Sequence, residues 1–162
     1  MKTIKLVFFV VLLATLSFCE EQQVDKTNLE EKSDITLVRD DDIYQNTLSA
    51  ISEDGISDPF TINSVTIDDQ KLKMFIEVSY AGGCKKHEFN LVWPDAIIAI
   101  YPPQFSIILN HDANGDNCEA YLTELLEIDL KDNNWKLDDQ SIRDMSVTII
   151  NGSNPDEKVV NK

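Results

Sequence analysis

Two short segments hold most of the residues that could carry chemistry, Gly82–Phe89 and His111–Glu119. Together they contain both histidines of the 162-residue sequence and two of its three cysteines. Thiol, imidazole and carboxylate groups are the donors used in disulfides, in metal sites and in nucleophilic catalysis. Which of these chemistries applies depends on whether the fold brings the two segments together.

Three interpretations compete for Cys84 and Cys118. Export into an oxidising compartment, which the amino-terminal segment discussed below predicts, favours a disulfide between them. A lipid on Cys19 would leave these two cysteines as the remaining pair. In the second interpretation Cys84 and Cys118 join His87 and His111 in a tetrahedral zinc or copper site. In the third, both thiols are free. We favour the disulfide.

Calcium is a separate alternative, because the loop Asp112–Asp116 has oxygen-bearing side chains at its first, third and fifth positions. Asn117 and Thr123 stand where a calcium loop has its glycine and its final carboxylate. A turn that connects two strands explains the same residues, and we favour the turn. The candidate metal ligands of the two segments are His87, His111, Asp112, Asn114 and Asp116.

Binding is a better expectation for these segments than catalysis. Lys85 and Lys86 form a rare basic pair in an acidic chain, and Glu119 ends the second segment. These three residues are candidate binding residues, although a solvated surface explains them as well. No Ser-His-Asp or Cys-His arrangement can be defended, and the carboxylates are too dispersed to nominate a catalytic pair. We expect a protein that is not an enzyme and that needs no cofactor.

The first 19 residues predict export. A basic start, with Lys2 and Lys5, is followed by an apolar run from Leu6 to Phe18, which is too short for a membrane span. Leu16–Cys19 resembles the lipobox of bacterial lipoproteins, in which the cysteine is lipidated; Phe18 departs from the usual small residue. A lipid on Cys19 would make the membrane a partner. The alternative is an ordinary cleaved signal with Cys19 as a free thiol.

Charge excludes one class of partner. The formal charge is −15, and loss of Lys2 and Lys5 with the signal changes it to −17. A chain this acidic repels phosphate backbones, so we expect no nucleic-acid binding. The length suits one domain plus a flexible segment. We predict a signal peptide at 1–18, an acidic tether at 19–34, a folded domain at 35–152 and a polar tail, frayed, at 153–162.

The residue pattern of the folded domain predicts an all-β structure. Alternation of apolar and polar residues is clearest at Leu72–Tyr80, and a break of phase at Asn63-Ser64 indicates a bulge in the strand before it. The acidic stretches 40–42 and 52–55 read as turns and solvated loops. Short strands separated by turn signals predict an antiparallel, immunoglobulin-like β-sandwich of about six to eight strands. The predicted strands are 35–38, 60–67, 72–80, 87–93, 105–109, 120–130 and 145–150. Between the last two, the side chains of Trp135, Leu137 and Ile142 are predicted to cover one edge of the core.

Strand direction predicts that the two segments meet. If 72–80 runs up, 87–93 runs down and 105–109 runs up again, because each connection reverses the chain. Residues 82–86 and 111–119 then lie at the same end of the sandwich. Cys84, His87, His111 and Cys118 are therefore predicted to share one pole.

The signature Gly82-Gly83-Cys84-x-x-His87-x-Phe89, Pro102-Pro103, His111-Asp112 and Asp116-x-Cys118-Glu119 resembles a group of small uncharacterised lipoproteins of Bacteroidetes. The resemblance covers roughly residues 59–151 and the amino-terminal anchor, and it implies no activity. In those bacteria an acidic stretch after the lipidated cysteine resembles a signal for transport to the cell surface, and Glu20-Glu21 fits it loosely. The resemblance thus implies attachment to the outer membrane, with the domain on its periplasmic or outer face and an envelope protein or extracellular ligand as partner.

Overall fold

Eight strands and two helices make up the described part of the chain. The structure is a computed structural model that describes residues 33–53, 56–95, 100–131 and 137–161. The elements in chain order are β1 (Asp34–Arg39), α1 (Asp41–Glu53), β2 (Phe60–Asp68), β3 (Lys73–Gly82), β4 (Glu88–Trp93), β5 (Gln104–Asp112), β6 (Ala120–Asp129), α2 (Asp139–Asp144), β7 (Ser146–Asn151) and β8 (Asn154–Val160).

The strands form two sheets around one apolar core. The order is β1-β4-β5-β7-β8 in the larger sheet and β2-β3-β6 in the smaller one. Inward side chains of both sheets meet in a single buried cluster, which explains why the sheets pack face to face. The predicted all-β sandwich is confirmed. Among the described pairs, β1 with β4 and β5 with β7 are parallel, and the other pairs are antiparallel.

Alternation of residue type defines the central strands as predicted. In β3, the side chains of Met74, Ile76 and Val78 are fully buried, while the residues between them are more exposed. The predicted break of phase in β2 is a register shift between Ile62 and Ser64. Inward residues of β4 include the fully buried Phe89. The pleat of each strand therefore sends every second side chain to the core.

Helix α1 corrects a prediction, since residues 41–42 and 52–53, which belong to the two acidic stretches interpreted as turns and solvated loops, lie in this helix. The carboxylate of Asp40 accepts a hydrogen bond from the backbone N–H of Ile43 at 2.8 Å, which caps the first turn. Tyr44, Leu48 and Ile51 lie on one face of the helix and pack on the outer side of the larger sheet. The acidic triplet at 40–42 is therefore a helix start, where negative charge favours the helix dipole.

The carboxyl-terminal segment corrects a second prediction. Residues 154–160 were expected to be a frayed polar tail, but they form β8 and pair antiparallel with β7. Glu157 faces inward and accepts hydrogen bonds from the side-chain amide of Asn151 and from the backbone N–H of Ile62. In the sequence, this segment looks like a solvated tail, because residue type alone does not show that the carboxylate of Glu157 faces inward and joins two strands.

Ile142 on α2 is buried and Leu137 packs against the core, so two of the three predicted edge residues lie where expected. Trp135 lies outside the described residues. The predicted signal peptide, Cys19 and most of the predicted tether also lie outside them. None of the helices in the described ranges has the length and apolarity that a membrane span requires.

The predicted reversal of strand direction is confirmed. β4 and β5 are antiparallel, and β3 and β6 are antiparallel, so the β3–β4 and β5–β6 connections lie at the same end. We call the residues 82–87 and 111–119 at this end the bridged pole. Because β1 runs parallel to β4, Asp34 pairs with Glu88 and the chain enters the domain at this pole.

Candidate functional site: the bridged pole

A disulfide between Cys84 and Cys118 joins the two loops of the bridged pole, as predicted. Their Cα atoms are 5.9 Å apart, and 34 positions separate them in sequence. Cys84 is exposed and Cys118 is half-buried. The bridge therefore ties the end of β3 to the start of β6, where it closes the loop that contains β4 and β5.

The carboxylate of Asp116 joins the same two loops by internal hydrogen bonds. One carboxylate oxygen, Oδ2, accepts hydrogen bonds from the backbone N–H groups of Gly83, Cys84 and Lys85 at 2.8–2.9 Å. The other, Oδ1, accepts from the N–H of Cys118 at 2.9 Å. The N–H of Cys118, followed by those of Cys84 and Lys85, holds the pKa of Asp116 well below its usual range, although burial opposes this. Its side chain is only 1% exposed, so the anion is internal.

The two histidines continue from Asp116 as a buried chain. His87 Nε2 lies 3.2 Å from Asp116 Oδ2, and His87 Nδ1 lies 2.8 Å from His111 Nε2. An ionised Asp116 fixes the proton of His87 on Nε2, so Nδ1 of His87 accepts from the Nε2–H of His111. Nδ1 of His111 is then an unprotonated nitrogen, and it is buried without a hydrogen-bond partner among the residues that the structure describes. The chain of hydrogen bonds thus ends in an unused acceptor on His111.

Aromatic rings pack against both histidines of the chain. Tyr80 stacks on His87 with ring centroids 4.5 Å apart, and Phe89 stacks on His111 at 4.7 Å. His87 and His111 are 2% and 3% exposed. Burial, followed by the proximity of His87, lowers the pKa of His111, while Asp58 and Asp112 oppose this shift. The surroundings of His111 therefore favour its neutral form.

The loop after β5 is a tight turn and explains the calcium-like pattern. Asn114 and Gly115 both have positive φ, at 52° and 63°, and the N–H of Asp116 donates to the carbonyl of Ala113. Positive φ at both central positions is the type I′ geometry that Asn-Gly favours. The carboxylate of Asp112 accepts from the N–H of Asn114. These groups satisfy the loop's own backbone.

The predicted metal ligands therefore have other partners. The predicted zinc or copper site uses two thiolates, and the disulfide consumes the thiols of Cys84 and Cys118. Both oxygens of Asp116 accept N–H groups. The side-chain amide of Asn114 donates to the carbonyl of Lys86. The pole brings all five candidates into one region, but it uses them as internal hydrogen-bonding groups.

The predicted binding residues lie on the outside of the pole. The Lys85 ammonium donates to the carbonyls of Asn114 and Gly115 at 2.8 and 3.0 Å, which adds a third link between the loops. Lys86 forms an ion pair with Asp34 at 2.8 Å. Glu119 is exposed. Lys85 is thus a structural residue, and Glu119 remains on the accessible surface.

Sequence reasoning missed a second polar cluster under the pole. The Tyr80 hydroxyl donates to the carboxylate of Glu124 at 2.7 Å, and the Ser33 hydroxyl donates to the same oxygen at 2.7 Å. Burial, with a further contribution from Glu124, raises the pKa of Tyr80 to about 12. The signal was available, because Glu124 interrupts the apolar face of β6 between Leu122 and Leu126.

Glycine at position 82 is required by the histidine chain. A Cβ atom at Gly82 would lie 2.4 Å from Nε2 of His87, a separation that forces one of the two to move. The Gly82-Gly83 pair therefore marks the close approach of the β3 end to an imidazole. Chemically, the site is a carboxylate–imidazole–imidazole chain whose two rings are almost wholly buried.

Comparisons with known proteins leave the family open. No protein-family model and no curated protein matches the chain. One similar solved structure is a protein of unknown function, DUF1344, from Bacteroides vulgatus, with 12% identity and a TM-score of 0.46 over 79% of this chain. Another is a suspected toxin-related protein from Parabacteroides distasonis, with 18% identity and a TM-score of 0.45 over 80% of this chain. This chain spans 55% and 58% of those two chains. Both neighbours come from Bacteroidetes, and the signature-based resemblance to the lipoprotein group stays a prediction.

Proposed function

We propose that the protein is a lipid-anchored, non-catalytic binding module of the cell envelope, with the bridged pole as its recognition surface. The observation that carries the proposal is the construction of this pole. A disulfide, an internal carboxylate with four backbone N–H donors and a lysine with two carbonyl acceptors fix the same two loops. A loop surface fixed before binding loses less conformational entropy when a partner is bound.

The burial of the histidines supports a non-catalytic role. A general acid or base must come within hydrogen-bonding distance of its substrate. The rings of His87 and His111 are almost wholly buried, and the Asp116 side chain is 1% exposed. The groups best suited to proton transfer are thus occupied in joining the loops.

The point at which the chain enters the domain supports a partner close to the membrane. Ser33 and Asp34 lie at the bridged pole, where Asp34 pairs with Lys86. Only 14 positions separate Cys19 from Ser33. An extended chain of that length spans at most about 50 Å. A domain anchored through Cys19 therefore keeps this pole within about 50 Å of the lipid surface.

Replacing Cys19 tests the anchor. In the Cys19→Ser variant, we expect the protein to move from the membrane fraction to the soluble fraction of fractionated cells, because the lipid attachment atom is lost. Mass spectrometry of the wild-type protein should show a lipid-modified Cys19 as the first residue. Release of the wild-type protein without detergent, or membrane retention of the serine variant, would contradict the anchor while leaving the binding role open.

Site-specific photocrosslinking in the native envelope tests the recognition surface. We place a photoreactive residue at Asn117 or at Glu119, both exposed on the bridged pole. The expected result is a discrete protein adduct from each position. The yield of this adduct should fall at least fivefold when the other position carries a charge-changing substitution, Asn117→Arg or Glu119→Arg.

Matched controls lie at the opposite end of the sandwich, in the turn between β2 and β3. Asp69 and Gln70 are exposed there, so a photoreactive residue at each of them samples a similar surface, and Asp69→Arg and Gln70→Arg match the charge changes. Equal adduct yields from the two ends, or no adduct from the bridged pole, would remove the proposed recognition surface.

A further inference from the structure

A cavity of about 450 Å³ lies on the outer face of the larger sheet, away from the bridged pole. Its floor comes from β5 and β7, where Gln104 is paired with Ser146 and Ser106 with Thr148. The amino-terminal half of α1 forms one wall. Because the strands β5 and β7 both begin here and run toward the bridged pole, the cavity lies at the other end of the domain.

The floor is polar and its side chains are not used by the fold. Within the described ranges, the side chains of Gln104, Ser106, Ser146 and Thr148 have no hydrogen bond to a protein group. They point outward because the neighbouring Phe105 and Val147 fill the core. Four such groups therefore offer both donors and acceptors to whatever occupies the cavity.

Tyr44 is the second observation that indicates a ligand. This residue lines the cavity and is only 7% exposed, yet its hydroxyl has no hydrogen-bond partner among the described residues. Burial alone raises its pKa. The hydroxyl oxygen itself is not fully buried, so it is accessible at the end of a largely buried ring, where a tyrosine hydroxyl normally has a hydrogen-bond partner. In this position a bound molecule would supply one.

The lining selects the chemical class. The walls add apolar surface from Pro94, Ile100 and the ring of Tyr44, and the polar side chains of Asp41 and Gln45; among the described residues, no lysine, arginine or histidine lines the cavity. Anionic ligands would thus find no cation, in a chain whose formal charge is already −15. Hydroxyl and amide groups beside apolar surface suit a neutral molecule that combines hydroxyl groups with C–H faces. The volume falls within the range of small-molecule sites, about 300–1,000 Å³.

We propose that this cavity binds a neutral saccharide of one or two rings. Ring hydroxyls bond to Ser106, Thr148 and the Tyr44 hydroxyl, and a C–H face packs against Ile100 and Pro94. The site does not depend on the bridged pole, so a negative result for the saccharide would leave the proposed recognition surface unaffected, and the reverse is also true.

Saturation-transfer NMR with the mature protein tests the site. The probes are glucose, galactose, mannose, xylose, N-acetylglucosamine, maltose and cellobiose, each at about 10 mM, a concentration that detects millimolar binding. We expect transfer to at least one of them, with amide shifts confined to the starts of β5 and β7. The double variant Ser106→Ala/Thr148→Val should weaken binding at least tenfold, and Tyr44→Phe roughly fivefold, because each removes hydroxyl bonds and keeps the packing.

The matched control is Thr66→Val, which makes the same change at an exposed position on the smaller sheet and should leave binding unchanged. Glucuronate serves as the charged probe and should bind at least tenfold more weakly than the best neutral sugar. The proposal is overturned if no neutral probe binds, if glucuronate binds better than all of them, or if the cavity variants bind as the wild type does. Circular dichroism and thermal unfolding of each variant establish that a loss of binding is not a loss of fold.

Discussion

Replacing Cys84 and Cys118 together by serine is expected to lower the free energy of unfolding by roughly 3–4 kcal/mol, because the bridge closes a long loop in the unfolded chain. The two cysteines are 34 positions apart. A loss of this size corresponds to a fall of roughly 10 °C or more in the melting temperature of a domain of this length. Thermal unfolding followed by circular dichroism measures the shift.

The double serine variant should still fold, since Asp116 and Lys85 continue to connect the two loops. Wild-type protein unfolded with a reductant should match it, and Cys19→Ser, which removes a cysteine outside the bridge, should leave the melting temperature unchanged. Thiol titration of the unfolded Cys19→Ser protein should find no free thiol until a reductant is added. A shift below about 2 °C would mean that the bridge contributes little to stability.

The strand pattern shows how far residue type alone can define this fold. Period-two alternation placed β3 and β4 correctly, because each buries one face against the opposite sheet. Once their directions were set, the meeting of Cys84 and Cys118 followed from counting reversals. The sequence did not reveal the parallel pairs of β1 with β4 and of β5 with β7. Pairing between distant strands depends on the whole topology and leaves little local trace.

Helix α1 had a local signal that the acidic interpretation obscured. Asp40 precedes Tyr44, Leu48 and Ile51, which have the spacing of one helix face. Because the acidic run was interpreted only as solvated charge, the capping role of its first residue, Asp40, was missed. The missed helix matters for function, because α1 forms a wall of the proposed saccharide cavity.

The inner structure of the bridged pole depends on geometry that spacing cannot supply. The predicted strand 105–109 stops short of His111, but β5 continues to Asp112, and His111 within it is buried. Asp116 read as one of several loop carboxylates, and only the folded chain brings three successive N–H groups of residues 83–85 to one of its oxygens. The local hint was Gly82-Gly83, where small residues allow a close approach.

Acidification is expected to destabilise the domain in two stages, the first of which belongs to His111. Its pKa in the folded protein is below the ordinary value of 6.5, chiefly because of burial. As the pH falls below 6.5, the unfolded chain binds more protons at this residue than the native state does, so the free energy of unfolding falls. One such residue contributes a slope of at most about 1.4 kcal/mol per pH unit.

The second stage includes Asp116, whose pKa is lowered from 3.8 by its N–H donors. Its contribution is fully present above 3.8 and is lost as the pH falls through the lowered value. Other carboxylates with a lowered pKa, such as the helix-capping Asp138, titrate in the same range and share this stage. Guanidinium unfolding curves at intervals between pH 7.5 and pH 3 measure the first stage and the onset of the second.

Two variants separate the stages. His111→Gln keeps a donor for Nδ1 of His87 but does not titrate, so the slope between pH 6.5 and pH 5 should become smaller while the acid stage persists. Asp116→Asn should lower stability at every pH, because an amide cannot accept from both Cys118 and the loop 83–85. Its acid stage should be reduced.

Asp138→Asn serves as the control for these variants, since it removes a capping carboxylate at α2 and should leave the slope above pH 5 unaltered. A wild-type stability that is flat between pH 6.5 and pH 5 would contradict a neutral buried His111. A slope in that range that survives in His111→Gln would assign it to another group. The imidazole of His111 and the carboxylate of Asp116 both take part in the hydrogen bonds inside the bridged pole. We therefore suggest measuring the photocrosslinking yield at Asn117 over the same pH series. A yield that falls with the pH would show that loss of these internal hydrogen bonds affects the recognition surface.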